Sequence, residues 1–374
     1  MLTVSHFLIL NALIYIEQFE SKKYTNKLID KSVYDFAMNY EYSSKYPYFP
    51  AEINEEEFDS LIESIKVEKN IFKDVYFLNI ENSLSGNKEC TENLVNMTLK
   101  YKNNLIFVFK GTSGTYEWVD NVRGTYVSDT KRQIKALKYY DKMYKLYADY
   151  VDKIYITGHS KGGNKAQYIG VLRGEDSKIK HVYSFDGQGF NELFFEKYKD
   201  LIKKNKKKIT SISNENDFVN IIMKLAVGNK KYIKSKTTKG KDKDKVAQIT
   251  HLFGGWHSPY SMLIKKDDRL HINEETKQNE VMATVSDLID YYSKKMTVEE
   301  KRYFFYKLAE TRMSVEYDND EEFKKEPKDF FKRFIQINRD YEKDRRDFTW
   351  FKFFIKVRPI IKEMIKIIAS KTDE

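Results

Sequence analysis

The sequence predicts an α/β protein with a mostly parallel central sheet, crossover helices and a helical C-terminal extension. Through the middle of the chain, short apolar segments of strand length alternate with segments of helical periodicity, which favours parallel strands joined by helices. The strand-like segments are residues 153–157, 181–185 and 209–213, and the helical ones are residues 130–150, 162–172 and 191–203. After residue 273 the strand pattern stops and charged helical patterns continue. We expect one domain over residues 1–273 and a helical extension, residues 274–374, packed on it.

The N-terminal segment is apolar from residue 7 to residue 16, with no cationic leader before it and no small-residue cleavage site after it. It is also too short to cross a bilayer. Its apolar side chains at helical spacing are Leu8, Ala12, Ile16 and Phe19. We therefore expect a buried first helix.

Three further strands are predicted ahead of the alternating part. Residues 74–80, 94–101 and 105–110 are apolar or alternating segments bounded by turn residues. Asn103 and Asn104 separate the last two, and asparagine tolerates the positive φ of a tight hairpin. These strands should form the first part of the same sheet.

Two helices are predicted in the C-terminal extension. Thr297 and Glu300 form a capping-box sequence that should begin a helix running to about residue 312. Residues 350–368 form a strongly amphipathic pattern that also carries lysines. Peripheral contact with an anionic membrane is one interpretation of this segment. Packing within the protein is favoured, because amphipathic helices of globular proteins are far commoner.

Composition limits the classes of function. The chain of 374 residues has 66 basic and 56 acidic residues. The excess of positive charge is modest, and basic and acidic residues are interspersed along the chain. Because nucleic-acid binders usually concentrate their basic residues on one face, nucleic-acid binding is not expected. Cys90 is the single cysteine, which excludes an internal disulfide or a zinc site of paired thiolates and fits a reducing, cytoplasmic location. We expect neither a metal nor an organic cofactor.

The motif Gly-His-Ser-Lys-Gly, residues 158–162, carries the clearest chemical signal. It lies between a predicted strand and a predicted helix, which is the context of a nucleophile elbow. In that turn the hydroxyl of Ser160 is exposed at the carboxyl edge of the sheet, and glycines relieve the crowding. The motif therefore predicts an α/β-hydrolase-like fold with Ser160 as its nucleophile.

A serine nucleophile needs a histidine base and a carboxylate that orients it, and in this fold the chain order is serine, acid, histidine. Asp217, just after the strand-like segment 209–213, is the preferred acid, and Asp186 is its rival. His257 is the preferred base and His251 the reserve. His159 beside the nucleophile is interpreted as structural.

An oxyanion hole is expected from two backbone donors. The N–H of Lys161, the residue after the nucleophile, should supply one. The loop of residues 109–114, which follows a predicted strand, should supply the other, and Thr112 is its best candidate.

A lysine-rich stretch lies between the proposed acid and base. Residues 224–245 contain eight lysines from Lys230 onward. Such runs are usually solvated loops, which is the favoured interpretation of residues 230–248. A cationic lid that gathers anionic substrates is the alternative.

These motifs, in this order, resemble those of the lipase class 3 group and, more closely, the Mbeg1-like family, DUF2974. The matching residues are 8–13, 109–112, 117–118, 157–164, 185–190, 216–219 and 257–261. The resemblance implies a hydrolase fold and a Ser-His-Asp triad without a settled substrate. Lys161 and Lys110 depart from the leucine and arginine usual in the lipases, and a charge beside the nucleophile suits a polar or anionic substrate group.

The sequence thus predicts a serine hydrolase acting on an ester or related acyl bond through an acyl-enzyme on Ser160. Its partner would be a small-molecule or lipid-like acyl substrate. The alternative is a catalytically silent hydrolase fold that serves as a binding or scaffold module.

Overall fold

A computed structural model describes residues 1–40, 55–82, 95–112, 115–236, 255–309 and 325–358. The helices of the first part are α1 (Val4–Leu13), α2 (Lys22–Thr25), α3 (Val33–Met38), α4 (Glu55–Val67), α5 (Lys69–Phe72), α6 (Thr115–Arg123), α7 (Lys131–Tyr147), α8 (Lys161–Arg173), α9 (Glu192–Lys197) and α10 (Lys199–Asn205). Those of the C-terminal part are α11 (Glu280–Lys295), α12 (Val298–Ala309) and α13 (Phe330–Asp344). Residues 350–358 are also helical.

The strands form a large sheet and a separate hairpin. The strands are β1 (Val75–Asn82), β2 (Val95–Tyr101), β3 (Asn104–Phe109), β4 (Lys153–His159), β5 (Ile179–Phe185), β6 (Ile209–Asn214), β7 (Asn229–Ile233), β8 (Leu263–Lys266), β9 (Arg269–Ile272) and β10 (Glu275–Thr276). Within the described residues the large sheet has the order β1-β2-β3-β4-β5-β6-β7-β10, and β8 pairs with β9. Strands β3 to β7 are parallel, whereas β1, β2 and β10 join them antiparallel. The predicted α/β fold with a mostly parallel sheet is confirmed.

The sheet has an apolar core on each face. One core joins α1, α3 and α4 to side chains of β1 and β2, and the other joins α7, α8 and α9 to side chains of β3, β4 and β5. Helix α1 is buried on every face from Ser5 to Leu13, as a helix apolar all round must be. The predicted buried helix is confirmed, but it ends at Leu13, so Ile16 and Phe19 follow it rather than share its face.

The predicted hairpin joins β2 to β3 through Lys102 and Asn103. Lys102, and not an asparagine, has the positive φ of 53°, and Asn104 is already the first residue of β3. The pair Tyr101 and Asn104 closes the turn. The hairpin is confirmed and its positive-φ position is corrected.

The lysine-rich stretch is partly a strand. Residues 229–233 form β7, which runs parallel to β6 and pairs on its other side with β10. The loop interpretation is therefore wrong for Lys230 and Lys231, and residues 237–248 lie outside the described part of the chain. Strands β8, β9 and β10 were also not predicted; β10 lies beyond residue 273, where only helices were expected.

The C-terminal helices contact the first part of the chain. The capping box is present, because the N–H of Thr297 donates to Glu300 Oε2 at 2.9 Å and the N–H of Glu300 donates to Thr297 Oγ1 at 3.2 Å. Phe305 and Tyr306 of α12 pack against Val119 and Val122 of α6. The predicted helix end near residue 312 and the segment 359–368 lie outside the described residues, and the division at residue 273 stays a prediction. None of the described helices combines the length and the apolar composition that a bilayer crossing requires.

Candidate active site

Ser160 occupies a sharp turn between β4 and α8. Its φ of 58° and ψ of −125° fall in a region that a side chain rarely adopts, at a cost of about 1–3 kcal/mol. Two glycines permit the turn, since a Cβ on Gly162 would lie 1.9 Å from the Phe109 carbonyl oxygen and one on Gly158 2.0 Å from that of Gly162. The Ser160 N–H is satisfied by the Phe185 carbonyl at 2.9 Å. The local sequence thus builds the expected elbow.

Three predicted residues meet at this turn. His257 Nε2 lies 2.8 Å from Ser160 Oγ, and His257 Nδ1 lies 2.6 Å from Asp217 Oδ1. Because an ionised carboxylate only accepts hydrogen bonds, the Nδ1–H donates to Asp217 and Nε2 accepts from the serine hydroxyl. The His257 imidazole thus contacts the serine hydroxyl through one ring nitrogen and the Asp217 carboxylate through the other.

Asp217 is fixed by its own turn. Its carboxylate is fully buried, and Oδ2 accepts the N–H of Val219 at 3.1 Å and the N–H and side-chain amide of Asn220 at 2.7 and 2.9 Å. Four donors, counting His257, therefore orient the two oxygens. Hydrogen bonds of this kind stabilise the charged form of a buried carboxylate.

The histidine loop is tied to the end of β6. Asn214, the last residue of β6, donates through Nδ2 to Ser261 Oγ at 2.8 Å, and Ser261 Oγ donates to the Ser258 carbonyl at 2.6 Å. His257 precedes this turn directly, so the loop is held beside the strand end that carries Asp217. His251, the reserve base, lies outside the described residues.

The rival acid Asp186 does not contact the His257 imidazole as Asp217 does. Its Oδ1 accepts the N–H of Asn214 at 2.8 Å, and its Oδ2 lies 3.9 Å from His159 Nε2. Burial and, after it, the negative charge of Asp217 raise the pKa of Asp186 well above its usual range. Of the two carboxyl groups, Asp217 contacts the His257 imidazole and Asp186 accepts the N–H of Asn214.

His159 and Tyr15 form a buried link that the sequence analysis did not find. His159 Nε2 lies 2.8 Å from the His257 carbonyl oxygen, which can only accept, so Nε2 carries the proton. Nδ1 must then accept from the Tyr15 hydroxyl at 2.7 Å. Burial also raises the pKa of Tyr15, which keeps its hydroxyl protonated. The interpretation of His159 as structural fits this position, and its role is to hold the His257 backbone.

His159 should make stability depend on pH. Burial, and then the nearby His257, lowers the pKa of His159 well below 6.5. The unfolded chain therefore binds a proton near pH 6.5 that the folded chain excludes, and the free energy of unfolding should fall as pH drops below that value. In urea titrations between pH 7 and 5, His159→Gln should show a shallower pH dependence than wild type. Equal slopes would contradict the neutral, buried imidazole.

The predicted oxyanion residues lie on either side of Ser160. Lys161 is the first residue of α8, and the N–H groups of a first helical turn have no partner within the helix. A Cβ on Gly111 would lie 3.0 Å from Ser160 Cβ, so the segment that leads to Thr112 passes directly beside the serine. Thr112 Oγ1 accepts a hydrogen bond from Asn121 Nδ2 at 3.0 Å. A hydroxyl that accepts a hydrogen bond keeps its own O–H, so Thr112 can offer both its backbone N–H and its hydroxyl as donors.

The Lys161 side chain is buried and paired with a carboxylate. It is 1% exposed, and its Nζ lies 2.9 Å from Asp120 Oδ2. Although burial alone would raise the pKa of Asp120, the charge of Lys161 and hydrogen bonds from Thr130 and the Arg132 N–H bring it below its usual range. The expectation that this lysine meets a polar or anionic substrate group is wrong, because its partner is a buried carboxylate.

A second ion pair lies one helical turn further along α8. Lys165 Nζ lies 2.7 Å from Glu117 Oε1 and donates to the Lys110 carbonyl at 3.1 Å. The Lys110 side chain is also buried, with its ammonium 5.9 Å from the centre of the Tyr15 ring. Both lysines that depart from the lipase pattern therefore belong to the interior.

Apolar side chains lie beside His257. The Phe218 ring lies 5.6 Å from the His257 ring, and Phe218 packs with Ile221, Trp256 and Met282. Met282 comes from α11, so the C-terminal part of the chain contributes to this apolar cluster. The environment on this side of His257 is therefore largely apolar.

His159, Asp186 and His257 bring potential metal-ligand atoms within 4.8 Å of one another. Both ring nitrogens of each histidine already have hydrogen-bond partners. An ion bound here would have to displace Ser160 or Asp217 from His257, or break the contact between His159 and His257. The donor set fits a hydrogen-bonded site better than a metal site.

Comparison with solved structures finds lipases. The chain is similar to Lip2 lipase from Yarrowia lipolytica, with 13% identity over 43% of this chain and 67% of that one and a TM-score of 0.32. It is also similar to a triacylglycerol lipase from Penicillium expansum, with 10% identity over 44% and 70% and a TM-score of 0.29. It is similar, too, to M37 lipase, with 15% identity over 59% of this chain and 70% of that one and a TM-score of 0.35. A comparison with curated proteins finds no match.

The family comparison covers the elbow, the acid and the histidine loop together. The model of the Mbeg1-like family matches residues 66–308, more than half of the 374 residues. The matched part runs from α4 to α12 and includes all the strands of the large sheet. This chain therefore belongs to the Mbeg1-like family.

Proposed function

We propose that this protein is a serine hydrolase that cleaves an ester or related acyl bond through an acyl-enzyme on Ser160. The observation that carries the proposal is the continuous contact from Ser160 Oγ through His257 to Asp217, at 2.8 and 2.6 Å. A serine hydroxyl becomes a useful nucleophile when a positioned base removes its proton. His257 would be that base, and Asp217 would hold its tautomer and stabilise the imidazolium.

The reaction would run in two halves. Ser160 Oγ attacks the acyl carbon while His257 Nε2 takes the hydroxyl proton, and the tetrahedral oxyanion accepts hydrogen bonds from the N–H groups of Lys161 and Thr112. The intermediate collapses, and His257 gives its proton to the departing alcohol. Water then attacks the acyl-enzyme with His257 as base, which releases the acid and restores the serine.

The surroundings support an uncharged acyl group. The apolar side chains of Phe218 and Trp256 lie on the His257 side, whereas the ammonium groups of Lys161 and Lys165 are paired with buried carboxylates. Recognition of an anionic acyl group by these lysines would require breaking a buried ion pair. A carboxylic ester with an apolar acyl chain is therefore the proposed substrate class.

Covalent labelling tests the proposal. A fluorophosphonate probe should label the wild-type protein, with the adduct on Ser160 by peptide mass spectrometry, because the probe reacts with an activated serine. Ser160→Ala should abolish labelling, whereas Ser128→Ala, which alters a serine outside the site, should not. Absence of labelling on folded wild-type protein would refute the proposal and favour a silent fold that serves as a scaffold.

A further inference from the structure

Tyr15 brings the N-terminal segment of the chain next to the proposed nucleophile. It lies just after helix α1, and 5% of its surface is exposed. Two hydrogen bonds fasten this segment to β4. Asn11 Nδ2 donates to Thr157 Oγ1 at 2.7 Å, and the Tyr15 hydroxyl donates to His159 Nδ1 at 2.7 Å. Thr157 and His159 are alternate residues of one strand and share a face of the sheet, so the two contacts together fix the position of Tyr15.

The Tyr15 hydroxyl makes two hydrogen bonds with residues beside the elbow. It donates to His159 Nδ1, and it accepts a hydrogen bond from the backbone N–H of Gly111. The approach to Gly111 is so close that a Cβ at this position would lie 2.0 Å from the Tyr15 hydroxyl oxygen, a contact that only glycine avoids. Gly111 directly precedes Thr112, the candidate oxyanion residue. One buried oxygen therefore binds the segment from which the oxyanion donor should come.

His159 connects the same hydroxyl to the proposed base. Its Nε2–H donates to the His257 carbonyl oxygen at 2.8 Å, and the centres of the two imidazole rings lie 4.8 Å apart. The donation requires the tautomer in which Nδ1 carries no proton. The Tyr15 hydroxyl selects that tautomer, because it donates to Nδ1. Without the hydroxyl, a proton on Nδ1 would leave two acceptors, Nε2 and the carbonyl oxygen, facing each other.

We propose that Tyr15 is a positioning residue whose hydroxyl holds the histidine loop and the segment before Thr112 in place around Ser160. It acts on the histidine loop through His159 and on the other segment through Gly111. The inference rests on the proposed function and deepens it. Because both hydrogen bonds of the hydroxyl go to protein groups, it affects the rate by fixing geometry, and a displacement of about 1 Å at a reacting group can cost about 10²-fold.

The variant Tyr15→Phe removes the hydroxyl and keeps the ring. With p-nitrophenyl butyrate as the probe ester, we expect kcat to fall by about 10- to 10²-fold with little change in KM. Labelling by a fluorophosphonate should slow in parallel, because it also depends on the activated serine. The matched control is Tyr139→Phe, which removes a buried hydroxyl 2.7 Å from Thr98 Oγ1 in the core on the opposite face of the sheet. It should lose a similar amount of stability and keep wild-type kcat.

A double-mutant cycle tests whether the hydroxyl acts through His159. The variant His159→Gln removes the Nδ1 acceptor and keeps an amide donor for the His257 carbonyl. Tyr15→Phe should therefore lower kcat much less in this background than in the wild-type protein. Equal losses in the two backgrounds would overturn the proposal. His159→Gln alone should also lower kcat, which tests the same connection if Tyr15→Phe does not fold.

The outcomes separate this inference from the proposed function. If folded wild-type protein neither reacts with the fluorophosphonate nor hydrolyses the ester, the proposed function fails and the inference fails with it. If wild type does both and Tyr15→Phe keeps wild-type kcat, only the positioning role is refuted. The positioning role is also refuted if Tyr15→Phe and Tyr139→Phe lose kcat equally, because the hydroxyl would then act through stability alone.

Discussion

Replacing His257 with alanine is expected to lower kcat for ester hydrolysis by about 10⁴-fold or more while changing KM little. The reason is the geometry at Ser160 Oγ, where His257 Nε2 at 2.8 Å is the only hydrogen-bonding side chain among the described residues. Without it no group removes the hydroxyl proton or returns it to the departing alcohol. Steady-state kinetics with a soluble ester would measure the loss, and a fluorophosphonate probe should label the variant far more slowly.

A matched control is His271, another histidine of the same chain. It lies on β9 and is exposed, so His271→Ala should retain wild-type kinetics and stability. If His257→Ala kept more than about a tenth of wild-type kcat, a different base would have to serve Ser160. In that case the contact from Ser160 to His257 would be structural, and the scaffold hypothesis would gain support.

The elbow could be predicted from the sequence because its determinants are local. Gly158 and Gly162 lie within two residues of Ser160; a Cβ on Gly158 would meet Gly162 of the same turn, and a Cβ on Gly162 would meet the end of β3. Strands β4, β5 and β6 could also be predicted, because they are largely buried segments of strand length bounded by turn residues. Local sequence therefore specified both the serine and the sheet edge on which it lies.

The choice between the two aspartates depended on information that is not local. Asp186 and Asp217 each follow a parallel strand, and composition does not separate them. Their difference comes from the turn at Asn220, which orients Asp217 toward the His257 loop, and from Asn214, which binds Oδ1 of Asp186. The preference for Asp217 as the acid rested on its place one strand further along the chain, where there is room for the histidine loop, and its catalytic role stays a proposal.

Contacts between distant parts of the chain were beyond the sequence analysis. Tyr15 and His159 are 144 residues apart, and nothing in either segment indicates that they meet. The strand β7 was missed for a different reason, because its lysines and largely exposed or half-buried pattern carry little of the apolar signal by which strands are recognised. Its position next to β6, rather than its composition, makes it a strand.

The lysine beside the nucleophile shows how a motif can mislead when only its charge is considered. The Lys161 side chain is paired with Asp120 of α6, and Lys165 is paired with Glu117 of the same helix. Asn121 of the same helix binds Thr112. Helix α6 thus connects both predicted oxyanion residues, and the buried ion pairs link it to α8. We therefore expect them to matter for stability.

Replacing Lys161 with methionine should lower the free energy of unfolding by about 3–5 kcal/mol. Both members of the pair are buried, with 1% of the Lys161 side chain and 7% of the Asp120 side chain exposed. Among the described residues, the hydrogen bonds that remain to the buried Asp120 charge after this substitution are those from the Arg132 N–H and the Thr130 hydroxyl. Urea denaturation monitored by circular dichroism measures the loss.

The double variant Lys161→Met/Asp120→Leu should recover most of that loss, because an apolar pair of similar volume often replaces a buried ion pair at little cost. Lys204→Met, which breaks an exposed ion pair with Glu175, should produce no measurable change. A Lys161→Met protein as stable as wild type would contradict the argument from burial. Since every one of these variants keeps the backbone N–H of residue 161, activity that survives in the double variant would show that the oxyanion site uses the main chain of this residue and not its charge.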